Sequence, residues 1–273
     1  MKLFHTLIAL SLFALTFVAC DEVDSDKRWN GPITAEVKKN VLIEDFTGQK
    51  CINCPLAAEE IASLQQTCGE NIIAVSIHGG SLSLSEDKTV AGLANTQGDD
   101  YVSHWGVNSF PKGWIDRSGS LLDYEQWGAS VVKRFSVAPK VNIDVNNIKV
   151  NTTDISFDVD VIGLENAQGK LQVWLTESNI TAIQFMPDGT RNNNYVHNHV
   201  FRASVSAPYG DEMIVSKEKT EHKSYTYSFP DFTKLKNTTP WNTANMAVVA
   251  FFYNETDGVM QVVDCKLVND AAE

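Results

Sequence analysis

Two cysteines with two residues between them, Cys51 and Cys54, stand in the stretch "VLIEDFTGQKCINCPLAAEEI". An apolar, strand-like run precedes the pair and a helix-like pattern follows it. A cysteine at the start of a helix meets unpaired backbone N–H groups and the positive end of the macrodipole, which favour thiolate over thiol. Thiolate is the nucleophile in disulfide exchange, and the two-residue spacing lets a second sulfur close onto the first. Cys51 is then the attacking thiol, with Lys50 beside it to add positive charge, and Cys54 the resolving one. Two other readings stay open. Zinc commonly takes two such pairs, and here Cys68 and Cys265 stand alone. A permanent structural disulfide is the other, because the compartment outside the cytoplasm is oxidising. Ile52 and Asn53, between the cysteines, give no direction of electron flow.

The elements that would position the pair occupy residues 37–136. "NVLIEDF" reads as a short apolar strand. "PLAAEEIASLQQTC" reads as a helix, with Ala57, Ile61, Leu64 and Cys68 on one face and Pro55 in the first turn. "NIIAVSIH" reads as a buried strand and "GDDYVSHWGV" as a short helix. "KGWIDRS" and "GSLLD" read as two strands of a hairpin turning at Ser118 and Gly119, and "YEQWGASVVKRF" as a closing helix. Along "VLIEDF" alternation lets only one of Glu44 and Asp45 face the core. From 137 to 273 the pattern changes to alternating runs such as "DISFDVDVIG", "KLQVWLTES", "YVHNHVFRASVS" and "NMAVVAFFYN", separated by Asn, Gly and Asp clusters. That predicts an all-β sandwich, immunoglobulin- or fibronectin-like.

A Cys-x-x-Cys between a strand and a helix resembles the thioredoxin motif. "GVNSFPKGWID" resembles the loop in which that fold places a cis-proline against its cysteines. This resemblance makes Phe110 and Pro111 substrate-binding residues and puts Pro111 in the catalytic set. It also makes Asp45, six residues before Cys51, the buried acid that accepts the Cys54 proton. "VLIEDFTGQKCINCP", "FPKGWIDR" and "YVHNHVFR" together resemble the outer-membrane-protein-28 family of Bacteroidota lipoproteins. The resemblance runs from residue 37 onward. It implies an α/β thioredoxin-like domain followed by a β-rich one.

Other histidines carry weaker signals. His197 and His199, two apart, would share a face on one strand and could begin a metal site, with His222 the only other candidate. Hydrogen bonding across the sheet or toward the other domain is the competing reading. His78 and His104 read as ordinary loop or helix histidines. No metal and no cofactor is expected.

The N-terminal "MKLFHTLIALSLFALTFVAC" has Lys2, an apolar run from Leu7 to Val18, then Ala19 and Cys20. This is a secretory signal over residues 1–19, with Cys20 in the position a lipoprotein acylates. Phe17 stands where a Leu is usual; plain secretion with Cys20 incidental is the alternative. Residues 20–36 read as the lipidated Cys and a flexible tether, and the acidic cluster after Cys20 resembles a surface-export signal of Bacteroidota lipoproteins. The chain has 273 residues and a net charge of -12. An acidic protein lacks the clustered Lys and Arg that nucleic acid requires. The leading expectation is a cell-envelope thiol–disulfide oxidoreductase. It would be lipid-anchored at the outer membrane, on its periplasmic face or at the cell surface. Its partners would be protein thiols or disulfides, an unidentified redox partner and, through its acylated N-terminus, the lipid bilayer. The alternative is a surface-exposed binding or adhesion module on a non-catalytic scaffold. Cys68 and Cys265 are expected to be free, buried thiols.

Overall fold

The computed structural model describes residues 37–86, 92–232 and 240–267. The signal segment, Cys20 and the tether lie outside the described residues. The first strand, β1 (Val41–Thr47), is followed by α1 (Cys54–Cys68), β2 (Ile72–His78), α2 (Thr96–His104), β3 (Lys112–Ile115) and α3 (Trp127–Phe135). Ten strands follow: β4 (Val141–Val150), β5 (Asp154–Gly163), β6 (Ala167–Glu177), β7 (Ile180–Phe185), β8 (Arg191–His197), β9 (Val200–Ser204), β10 (Asp211–Val215), β11 (Thr220–Ser228), β12 (Met246–Asn254) and β13 (Gly258–Lys266).

One mixed sheet runs through the molecule in the order β13-β12-β6-β9-β2-β1-β3, with β10 added along β6. Strands β1 and β2 are parallel, and β2 meets β9 in parallel at Ser76 and Val200. The remaining pairs in this sheet are antiparallel. A three-stranded sheet, β11-β5-β4, and the β7–β8 hairpin complete the strands described.

This architecture overturns the expected α/β thioredoxin-like domain followed by an immunoglobulin- or fibronectin-like sandwich. Among the described residues thirteen strands stand against three α-helices, and strands from both sides of residue 136 share a single sheet. The five residues of β9 join the two regions. Alternation reveals which face of a strand is apolar but not which strand lies beside it, so this join left no local mark.

Burial follows from the layering. Along β6, Val173 and Leu175 face the three-stranded sheet while Trp174 between them enters a second core with Phe201 and Phe251. The same second core takes Leu42, Phe46, Ile73, Val75 and Ile77 from β1 and β2. The opposite face of β1 and β2 is covered by α1 and α3 through Val41, Ile43, Ala57, Ile61, Trp127 and Val131. Strand β1 is therefore buried throughout, and Glu44 and Asp45 are both in the interior, on opposite faces. The expectation that only one of them would be buried fails because it assumed a strand with one open face.

Smaller departures are local. The "GSLLD" strand reduces to a single bridge between Gly113 and Leu122. "YVHNHVFRASVS" is two strands, broken at Asn198 and His199, and His199 has a left-handed φ of 57°. Cys68 and Cys265 are free thiols but only half-buried. No helix among the described residues is long and apolar enough to cross a membrane.

Candidate functional site

The turn between β1 and α1 carries Cys51 and Cys54, which form a disulfide. Asn53 is the N-cap of α1, Cys54 its first residue and Pro55 follows, where a missing N–H costs no helical bond. Cys51 sits in the preceding turn, its N–H donating to Gly48 O at 3.0 Å. Each cysteine is only 3% exposed.

The cover over the turn is the β7–β8 hairpin. Gln184 Nε2 donates to the carbonyl oxygens of Cys51 at 2.9 Å and Gly48 at 3.3 Å. Phe185 N–H donates to Gln49 O at 2.8 Å, and Gln49 Nε2 donates back to Ile183 O at 3.2 Å. Four hydrogen bonds to backbone carbonyls thus fasten the hairpin to the cysteine turn.

Between this hairpin and α1 lies a cavity of about 280 Å3, open at the surface, with Asp45, Cys54, Ser76, His78 and His197 in its wall. Parallel pairing places Asp45 opposite Ser76 and Thr47 opposite His78, so all four project to the α1 side of the sheet. Asp45 is 2% exposed; Ser76 Oγ lies 3.4 Å from its Oδ2, and Oδ1 has no protein partner. Burial raises the Asp45 pKa to about 7, the Ser76 contact opposing that rise only in part. Burial, with smaller contributions from His197 and Arg202, holds His78 well below the usual histidine range, and neither of its ring nitrogens has a partner. His197 is lowered to about 4, again by burial, although backbone carbonyls at Ile183 and Ala182 favour its charged form. The two rings meet edge to face with centroids 5.4 Å apart. Both imidazoles are therefore neutral at pH 7.

Of the residues singled out in the sequence, the structure brings Asp45 and Cys54 to one cavity wall and adds His197 and His199 to it. His197 and His199 do not share a strand face, because the chain turns between them. Phe110 and Pro111 are joined by a cis peptide bond, and neither lines this cavity. Phe110 packs instead against the second core. His222 lies elsewhere, exposed, with Nδ1 2.7 Å from Asp160 Oδ1. No group of three His, Cys, Asp or Glu among the described residues is arranged to hold a metal ion. His78, read from the sequence as an ordinary loop or helix histidine, ends strand β2 in this wall. Its neighbour His197 arrives from a distant hairpin, which no sequence signal indicated.

On the other face of β1, Arg117 donates from Nε and Nη2 to both Glu44 carboxylate oxygens, at 2.9 and 2.7 Å. This fully buried bidentate pair lies among Trp105, Trp174, Phe251 and Tyr253, whose ring centroids are 4.2 to 5.6 Å from the guanidinium. Sequence reading placed Arg117 inside the strand "KGWIDRS" and gave it no role, whereas the strand ends at Ile115 and Arg117 follows it.

The family profile described as "Outer membrane protein Omp28" matches residues 98–271. The chain belongs to the Omp28 family. Its place is the outer membrane. The match begins after Cys51 and Cys54, so membership of the Omp28 family carries no statement about the disulfide. Among solved structures, HBP35 of Porphyromonas gingivalis is similar at a TM-score of 0.67 and 15% identity, over 86% of this chain and 78% of that one. That likeness is one of fold. A domain of the outer membrane lipoprotein Omp28 from Porphyromonas gingivalis is similar at 25% identity and a TM-score of 0.34, over 47% of this chain and 88% of that one. Comparison with curated proteins gives no match.

Proposed function

We propose that this chain is an outer-membrane binding protein, tethered through an acylated Cys20, in which the Cys51–Cys54 disulfide holds the β1–α1 turn in shape and does not turn over. The observation that carries the reading is the cover on the cysteines. Exchange requires an incoming thiolate to approach a disulfide sulfur in line with the bond, and access governs its rate. Here the sulfur-bearing residues are 3% exposed and the hairpin is fastened across them by Gln184 and the backbone of Phe185.

A second reading, exchange chemistry at Cys51, is favoured by one observation. Asp45, in the wall it shares with Cys54, has an unpartnered carboxylate oxygen and a pKa near neutrality. Such a group could take a thiol proton at pH 7.

The rate of disulfide reduction separates the two. Under the binding-protein reading dithiothreitol reduces Cys51–Cys54 slowly, and sub-denaturing urea speeds the reaction by loosening the hairpin. Fast reduction in water, unaffected by urea, is the result of an exchange-competent disulfide and contradicts the proposal.

A further inference from the structure

On the face of the sheet away from the cysteines, a groove of about 950 Å3 runs between the end of α2, the turn after β3 and the β12–β13 turn. Trp105, Trp114, Tyr209 and His104 form an aromatic wall along it. Trp105 and Trp114 meet edge to face at 5.0 Å, and His104 stacks on Tyr209 at 4.1 Å. Arg117 also lines the groove, although it is 5% exposed. Glu44 occupies two of its nitrogens, and Nη1 has no protein partner. Trp105 Nε1 is likewise buried and unpartnered.

The chain bends sharply to place Arg117 there. Asp116 and Arg117 both have a φ of 50°, a left-handed conformation that costs a side-chain-bearing residue about 1–2 kcal/mol. The Asp116 carboxylate holds the bend by accepting from Leu42 N–H at 2.8 Å and Arg134 Nε at 2.9 Å, and by pairing with Lys39 at 2.8 Å. Asp116 O accepts from Val259 N–H at 2.6 Å, and a Cβ at Gly258 would lie 2.3 Å from that same oxygen. Strain over-determined in this way is found where a side chain must be aimed.

We propose that this groove is a binding site for a neutral saccharide, an assignment that rests on the binding-protein reading and names its ligand class. Three observations argue against the alternatives. Arg117 is matched by Glu44 and Lys170 faces Glu212 at 3.5 Å, so the groove offers no spare cation for an anionic ligand. A cationic ligand is disfavoured because the Arg117 guanidinium already lies 5.2 Å from the Trp105 ring centroid and 4.2 Å from that of Tyr253. A purely apolar ligand would leave Arg117 Nη1 and Trp105 Nε1 without acceptors, which costs free energy in a desolvated wall. A sugar ring supplies both requirements: a C–H face to lie on the Trp114 indole and hydroxyl oxygens to accept from those donors. Glu255 on the rim is a planar polar group of the kind that fixes ligand orientation.

The test uses the full-length chain in a zwitterionic detergent without a sugar headgroup. The probes are maltoheptaose, cellohexaose, mannohexaose and chitohexaose, titrated by tryptophan fluorescence and calorimetry. At least one is expected to bind with a Kd of about 1 mM or tighter. Trp114→Ala is expected to weaken that binding about tenfold or more, as loss of an aromatic anchor does. Glu255→Ala, at an exposed turn residue, is expected to weaken it severalfold with an unchanged unfolding midpoint. Absence of binding by all four probes, or binding unchanged in both variants, overturns the assignment. If no probe binds and Cys51 remains inert, the groove assignment falls while the binding-protein reading stands. No binding together with rapid exchange at Cys51 overturns both.

Discussion

Replacing Asp45 with Asn removes a buried titratable group, and the effect on stability has a defined pH signature. The folded pKa is about 7 against a model-peptide value of 3.8, and the cause is burial in the wall beneath α1. A raised folded pKa means that the folded state holds the proton more tightly than the unfolded chain does. Stability from this group is complete below pH ~3.8 and is lost as pH rises toward 7, at about 1.4 kcal/mol per unit. The shift of roughly three units corresponds to about 4 kcal/mol between the two plateaus. Asn cannot ionise and escapes this loss. Its amide brings two N–H groups to a buried place where, among the described residues, Ser76 Oγ is the one hydrogen-bond neighbour, which adds a pH-independent cost of about 1–3 kcal/mol. The two stability curves are therefore expected to cross: Asp45→Asn is less stable than wild type at pH 4 and equal or more stable at pH 8. Urea unfolding at half-unit steps from pH 4 to 8, with m held common, measures the difference. Parallel curves across that range would refute a buried, proton-binding Asp45.

Three further outcomes follow from the structure. Glu44→Gln leaves the Arg117 charge buried among aromatic rings and is expected to cost about 3–5 kcal/mol in chemical denaturation. Replacing both Cys51 and Cys54 with Ser opens a loop of only a few residues and is expected to cost about 2 kcal/mol by chain entropy, with membrane retention unchanged in a sedimentation assay. Cys20→Ala is expected to move the protein from the membrane pellet to the soluble fraction, read by immunoblot.

Much of the strand pattern was legible in the sequence because alternation is a local property. β5 reads as strict buried–half-buried alternation, and the runs that became β6, β12 and β13 were apolar enough to place without tertiary information. The shared sheet was not legible. It depends on β9 lying between β2 and β6, a pairing set by distant chain segments. β7 and β10 were missed for a related reason: one belongs to a hairpin that covers the cysteines and the other to a mostly exposed edge, and neither shows a plain apolar face. At the site, the resemblance that made Asp45 a buried acid agrees with its burial in the interior. Nothing in the spacing placed Gln184 over Cys51, and that contact changes the reading from an open thiol centre to a covered one. Arg117 shows the same limit, since its partner Glu44 and the aromatic residues around it come from four separate parts of the chain.

The central claim is that Cys51 does not exchange with substrates. Cys54→Ser removes the resolving sulfur, so an attacking Cys51 would accumulate mixed disulfides. Expressed at native level in its own envelope, and analysed after acid quenching and non-reducing electrophoresis, the variant is expected to run as a single band matching the reduced wild type. A ladder of higher-mass species that collapses on reduction, and is absent from the Cys51→Ser control, would contradict the account and assign exchange chemistry to Cys51.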